Sequence, residues 1–201
     1  MKKGIFIALC VFFGITQTKA QVTFKPGLRA GLNFSHFTKG DNYNNYYYDS
    51  NGNYVPSTNT DKYSSKTDFY LGFYGALKLT KYYTLQPEIE YTSQGSNYRT
   101  ANNQTVDLDV AYLSLKMLNK FTFSDKFNVH VGPTIDFVVD NNFDTNSDVD
   151  LAFILGAGYN FNSNFGIEAR VKKGIVPVID TDVNHTNVVF QLGATYTFDV
   201  K

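Results

Sequence analysis

The 201 residues carry 18 basic and 18 acidic side chains, a formal charge of zero, which excludes the basic surplus of a nucleic-acid binder. Hydrophobic residues make up 43% of the chain and charged residues 18%, so it is not a disordered polar polymer, and its length suits one domain with a sizeable core. The aromatic inventory is lopsided, with 15 Tyr and 18 Phe but no Trp.

The first segment reads as an address. Met1-Lys2-Lys3 is positive, Gly4 to Ile15 is apolar, and Thr16 to Ala20 turns polar and ends on a small residue. That is the order of a secretory signal peptide, and the run is too short to span a bilayer, which takes about 20 apolar residues. Cleavage is expected after Ala20, giving a signal peptide over 1–20 and a barrel domain over 21–201; an uncleaved anchor is the alternative. Cleavage removes Lys2, Lys3 and Lys19, leaving a net charge of −3, and it removes Cys10, the single cysteine. Disulfides, thiolate catalysis and cysteine-ligated metals are then excluded.

Beyond residue 20 the period is two, the signature of β-strands. In chain order the apolar positions are Leu28 to Phe34, Phe69 to Leu79, Leu85 to Tyr91, Leu113 to Phe121, Phe127 to Val139, Leu151 to Tyr159, Phe165 to Val171 and Val188 to Phe198, each interleaved with polar residues or glycine. Three connections are tight, at 81–82, 124–126 and 162–164. Four are longer, roughly 37–67, 98–107, 140–149 and 177–187, and rich in Asn, Asp, Ser and Gly. All short turns therefore fall at one end of the assembly and all long loops, including the tyrosine-rich 43–48, at the other.

Alternation does not say which face is inside. A soluble barrel or sandwich buries its apolar face; a membrane barrel turns that face to lipid. Three features favour the membrane. The polar face holds small residues suited to a narrow interior, among them Gly31, Gly72, Gly156 and Gly193. Aromatic residues of the apolar face crowd against the short turns: Tyr83, Phe121, Phe123, Phe127, Tyr159, Phe161, Phe165, Tyr196 and Phe198, as in an interfacial aromatic girdle. Short turns at one end and long loops at the other is the habit of outer-membrane barrels. The expected fold is an all-β, eight-stranded antiparallel up-and-down transmembrane barrel, its termini and short turns in the periplasm and its long loops outside.

Four stretches, Leu85–Tyr98 (LQPEIEYTSQGSNY), Tyr112–Phe121 (YLSLKMLNKF), Val129–Pro133 (VHVGP) and Leu155–Tyr159 (LGAGY), together with Gly27–Ser35, resemble the PorT-like outer-membrane β-barrel family of Bacteroidota. The resemblance covers essentially all of 22–199. Family members often carry Pro where this chain has Lys116, and Arg-Tyr where it has Arg170-Val171. The resemblance implies fold and location without a single activity; one namesake branch takes part in a secretion system, and nothing in this sequence singles that branch out.

By parity, Arg29, Lys78, Lys116, Lys120, Arg170 and Lys172 point inward, as do Asp68, Glu88, Glu90, Asp136 and Glu168. Charges in an enclosed lumen must nearly balance, and these do. Counting from the short turns puts Arg29, Glu88, Glu90, Lys116, Arg170 and Lys172 near mid-height. The third and seventh strands lie half a turn apart, so Glu88 and Glu90 are expected to face Arg170 and Lys172, with Lys116 joining them. A structural polar plug is the first interpretation. A narrow gated pore and a small rim enzyme acting on lipid or peptide are the alternatives. His36, His130 and His185 share no metal-ligand spacing, and Asp144–Asp150 lacks the glycine and glutamate of a calcium loop. No catalytic residue, metal or cofactor is expected. The partners expected are outer-membrane lipid and an extracellular or periplasmic protein, the loop tyrosines being suited to a contact surface.

Overall fold

The computed structural model describes residues 22–38, 45–48, 53–57, 62–99, 104–124, 126–178 and 186–200. The expected signal peptide, His185 and Tyr43 lie outside the described residues. Ten strands run in chain order: β1 (Thr23–Phe37), β2 (Asn45–Tyr48), β3 (Tyr54–Ser57), β4 (Lys62–Lys78), β5 (Tyr83–Arg99), β6 (Thr105–Thr122), β7 (Phe127–Asn141), β8 (Val149–Asn160), β9 (Phe165–Gly174) and β10 (Asn187–Thr197). Eight of them close an antiparallel barrel in the order β1-β10-β9-β8-β7-β6-β5-β4, while β2 and β3 pair separately. This is the fold expected from the alternation.

Closure rests on β1 and β10, which pair from Gly27↔Thr197 to Phe37↔Asn187. The Phe198 N–H donates to the Pro26 carbonyl at 2.8 Å and extends the seam past the last strand. No edge among these eight strands is left with a free row of N–H and C=O groups.

The outer wall is apolar: Phe73, Leu115, Phe153, Leu155 and Leu192 are among its exposed residues. The inner wall is polar and buried, with Arg29, Asn33, Gln94, Ser114, Asp136, Arg170, Lys172 and Gln191 each at 1% exposure or less. Polar-in and apolar-out reverses the soluble arrangement. The inside is not polar throughout, however. Leu118, Ile154 and Val189 are fully buried on it, and a register shift at Ala111/Tyr112 buries Val110, Ala111 and Tyr112 in succession.

Some boundaries differ from expectation. β5 and β6 stay in register up to Arg99↔Thr105, so the second long connection shrinks to 100–104, because the polar alternation of its flanks continues the ladder. The first loop carries the β2–β3 hairpin. Lys78, expected inside, is exposed where β4 ends at the short-turn rim.

Two strand-interior prolines coincide with gaps in the ladder. The β4–β5 register passes from Tyr74↔Glu88 to Leu77↔Leu85, skipping the partners of Gln86 and Pro87. The β6–β7 register passes from Lys116↔Thr134 to Asn119↔Val131, skipping those of Gly132 and Pro133. Proline has no N–H to donate, so each gap falls where a rung would need one.

Gly31 and Gly193 are direct partners across the closing seam, and the buried Tyr70 ring ends in the slot they leave. A Cβ at Gly193 would meet the Tyr70 hydroxyl and the Ala30 carbonyl. Gly193→Ala is therefore expected to lower the unfolding free energy by about 1–3 kcal/mol, read by urea unfolding in detergent micelles.

Candidate functional site

The lumen gathers charge at mid-height from four strands. Arg29 enters from β1 opposite Gly72 of β4, which itself pairs with Glu90 of β5. A Cβ at Gly72 would meet the Ile89 carbonyl and Glu90, so the two strands stay close beneath the guanidinium. Its Nη1 donates to Glu88 Oε2 at 2.6 Å and lies 3.0 Å from Glu90 Oε2, and its Nη2 lies 2.7 Å from Glu168 Oε1. The Tyr70 ring stacks against it, 4.7 Å from Cζ to centroid.

Arg170 comes from β9, half a turn round the barrel from β5. Its Nη1 and Nη2 donate to the two Glu88 oxygens at 2.7 and 2.8 Å, a bidentate fork, and Nη2 also donates to Glu168 Oε2 at 2.9 Å. Gly156 of β8 makes the space, since a Cβ there would strike both Arg170 and His130. Lys116 Nζ, on β6 beside β5, lies 2.5 Å from Glu90 Oε1. Gln86 and Gln191 donate to the outer oxygens of Glu88 and Glu90 at 2.7 and 3.1 Å. Three cations thus meet three carboxylates.

Of the six residues expected at mid-height, Arg29, Glu88, Glu90, Lys116 and Arg170 are brought together. Lys172 is not. It was expected to face Glu88 and Glu90, and instead its Nζ donates to Asp136 Oδ2 at 2.5 Å, with Tyr112 beneath it at 5.3 Å. The reason is height. Two residues along β9 from Arg170 is a displacement of about 7 Å, toward the long loops. At that level Lys172 pairs in register with Ile154 and Val189, and Asp136 is the carboxylate left over once both glutamates are held. Parity puts Glu168 and Asp136 inward, but one stands nearer the short turns and the other farther from them than the mid-height residues, so a height count omits both; the shear of the sheet brings Glu168 to Arg29 and Arg170 and Asp136 to Lys172.

Above the charges lies a neutral layer. Asn33 donates to Thr92 at 2.8 Å, Gln191 to Asn33 at 2.9 Å and Asn187 to Gln94 at 2.6 Å. At the short-turn end the expected aromatic residues make contact in pairs: Tyr83–Phe121 at 5.4 Å, Phe127–Tyr159 at 4.9 Å, Tyr159–Phe161 at 5.4 Å, Phe165–Tyr196 at 4.8 Å and Tyr196–Phe198 at 5.1 Å. Just beyond, the Asn164 amide and the Lys25 ammonium hold the Asp199 carboxyl below its ordinary range. His36 faces away from the lumen near the long-loop end, and His130 is buried, its Nδ1 3.3 Å from Asn128 Oδ1. Among the described residues no three His, Asp or Glu side chains converge as a metal site.

Chemically the cluster is a cross-link. Each of its carboxylates is bound to at least one cation, and none is poised to take a proton from a substrate.

The profile of the outer membrane protein beta-barrel domain matches residues 6–198. The chain belongs to that family. An apolar outer wall around a closed eight-stranded barrel accordingly sits in the outer membrane. Among solved structures, neisserial surface protein A is similar at 13% identity with a TM-score of 0.53, covering 86% of this chain and 97% of its own. Ail, the attachment invasion locus protein of Yersinia pestis, in a phospholipid bilayer nanodisc, is similar at 17% identity with a TM-score of 0.50, covering 88% and 100%. At these identities the likeness shows the fold alone. No curated protein matches the chain.

Removing one member of a buried ion cluster costs about 3–5 kcal/mol, since its partners are left as uncompensated charges. Arg170→Met is expected to destabilise the barrel by that amount. Lys172→Met and Asp136→Asn should be strongly non-additive with each other. Lys172→Met should add to Arg170→Met within about 0.5 kcal/mol, because the two cations share no partner. Double-mutant cycles by urea unfolding in micelles check both statements.

Proposed function

We propose that the protein is a non-enzymatic outer-membrane barrel whose lumen is sealed by its own charges and whose long loops are offered to a partner outside the cell. In this reading residues 1–20 direct export and are removed, the termini and short turns lie in the periplasm with the aromatic pairs as the girdle there, and the chain stands with the PorT-like barrels of Bacteroidota on its LQPE-type strand. The observation that carries the sealed lumen is the cluster of Arg29, Arg170, Lys116, Glu88, Glu90 and Glu168, every member at 6% exposure or less. Side chains fill an eight-stranded barrel, and charges that neutralise one another across the bore have no reason to part for a solute. The loops are where the architecture tolerates length: 38–61 separates β1 from β4 by more residues than either strand contains.

Planar-bilayer recording tests the reading. The wild type is expected to be electrically silent. The double variant Glu88→Ala/Arg170→Ala, with its folding verified by heat-modifiable gel mobility, is expected to pass current. Unitary conductance in the wild type would establish the narrow pore instead. Deleting 40–60 should leave the mobility shift intact while abolishing capture of the loop's partner.

A further inference from the structure

The central cluster is balanced, and so is the Lys172–Asp136 pair. Lys66 is shared between Asp68 and Asp109, and among the other inward charges of the described residues Asp150 and Lys120 have no ion pair and lie at opposite ends of the bore. Asp150 lies toward the long loops, where its Oδ1 accepts the Val176 N–H at 3.2 Å. Lys120 lies toward the short turns. Leu118 of the same strand, fully buried, stands between Lys120 and Lys116, while Glu168 of the cluster still attracts Lys120 through space. Lys120 makes no ion pair with any described residue. Glu168 and Asp199, each two positions along the chain from this region, are both engaged: Glu168 by Arg29 and Arg170, and Asp199 by Asn164 Nδ2 at 2.9 Å and Lys25 Nζ at 3.3 Å.

Lys120 does not end in packed protein. It lines a cavity of about 400 Å³ at the short-turn mouth, together with Lys126, Tyr74, Asn160, Thr195 and Thr197. Both charges of the lining are positive, and no described carboxylate contributes to it. Asn160 Oδ1 and Thr195 Oγ1 lie 2.8 and 2.9 Å from where a Cβ of Gly166 would stand, so both groups close on the Gly166 backbone and any side chain there would displace them. A volume of this size is that of a small-molecule site; the barrel wall lowers the screening of the half-buried Lys120, while Lys126 is exposed at the rim.

We infer that this mouth is a binding site for an anionic group, a carboxylate or phosphate on a hydroxyl-bearing small molecule or chain terminus. The Lys120 ammonium pairs with the anion; Lys126, whose Nζ rests 6.0 Å from the centre of the outward Tyr159 ring, swings in to close over it; Asn160 and Thr195 take its neutral hydrogen-bonding groups, beside the Tyr74 hydroxyl held by Thr197 at 2.6 Å. A buried pair of this kind uses charge-assisted hydrogen bonds, which are the strong ones. The site stands apart from the sealed lumen and the outer loops, and its test is independent of whether the barrel conducts.

The test is titration of the full-length mature protein in non-ionic micelles, followed by NMR of ¹⁵N-labelled Asn and Lys side chains. The probes are N-acetylserine, for a peptide-type carboxylate, and glycerol 3-phosphate, for a headgroup-type phosphate, with sodium chloride at matched ionic strength as reference. Saturable shifts at Asn160 with at least one of the two probes, absent with chloride, are expected, and the tighter probe identifies the source of the anion. Lys120→Gln should weaken binding by about tenfold or more. Gly166→Ala, which keeps both lysines but displaces Asn160 and Thr195, should weaken it as well. Lys81→Gln, a cation of the same end outside the cavity, should bind as the wild type does. Heat-modifiable mobility verifies that each variant is folded. No saturable shift in the wild type, equal affinity in folded Lys120→Gln, or equal loss in Lys81→Gln would overturn the inference.

Discussion

Hydrocarbon offers nothing to a peptide N–H or C=O, and that one fact governs the molecule. A sheet placed there must close on itself, because an open edge would leave a row of unpaired groups at several kcal/mol each. Closing eight strands draws the wall in until side chains fill the bore. Once the bore is narrow, whatever is polar within it must be answered by something equally polar. The ion cluster, the amide layer above it and the glycine that lets Arg170 cross are consequences of closure rather than separate inventions of the sequence.

Glu88 shows how tightly that follows. It receives Arg29, both arms of Arg170 and Gln86, drawing three walls of the barrel to one carboxylate. Such a centre is costly to desolvate and costlier still to break. Its value is geometric: guanidinium forks fix direction as well as charge, so the cluster sets the rotation of β1, β5 and β9 about one another, which apolar contacts with lipid would leave undetermined.

The architecture was legible because alternation with a period of two survives in every barrel strand, and because turn length itself alternates. Arg29, Glu88, Glu90, Lys116 and Arg170 could be placed by parity and a height count. Lys172 could not, because parity fixes the face of a residue but not its rung, and the shear of a tilted barrel decides which carboxylate shares that rung. The fully buried Leu118, Ile154 and Val189 stand at inward parity, but an apolar residue on a polar face gives no signal of what it packs against. The register shift at Ala111/Tyr112 left no mark in composition at all. The β5–β6 extension is not legible because Asn, Asp and Ser have the composition of turns, while their backbone bonds continue the sheet.

The two proline gaps have a mechanical meaning. β5 and β6 are zipped without a break from Tyr83↔Phe121 to Arg99↔Thr105, yet the seams on either side of them each lose rungs, at Pro87 toward β4 and at Pro133 toward β7. The wall is therefore not a uniform hoop. It is a stiff double-stranded stave held between two softer joints, and it can coil and tilt as a unit while the rest of the sheet wraps around to meet it.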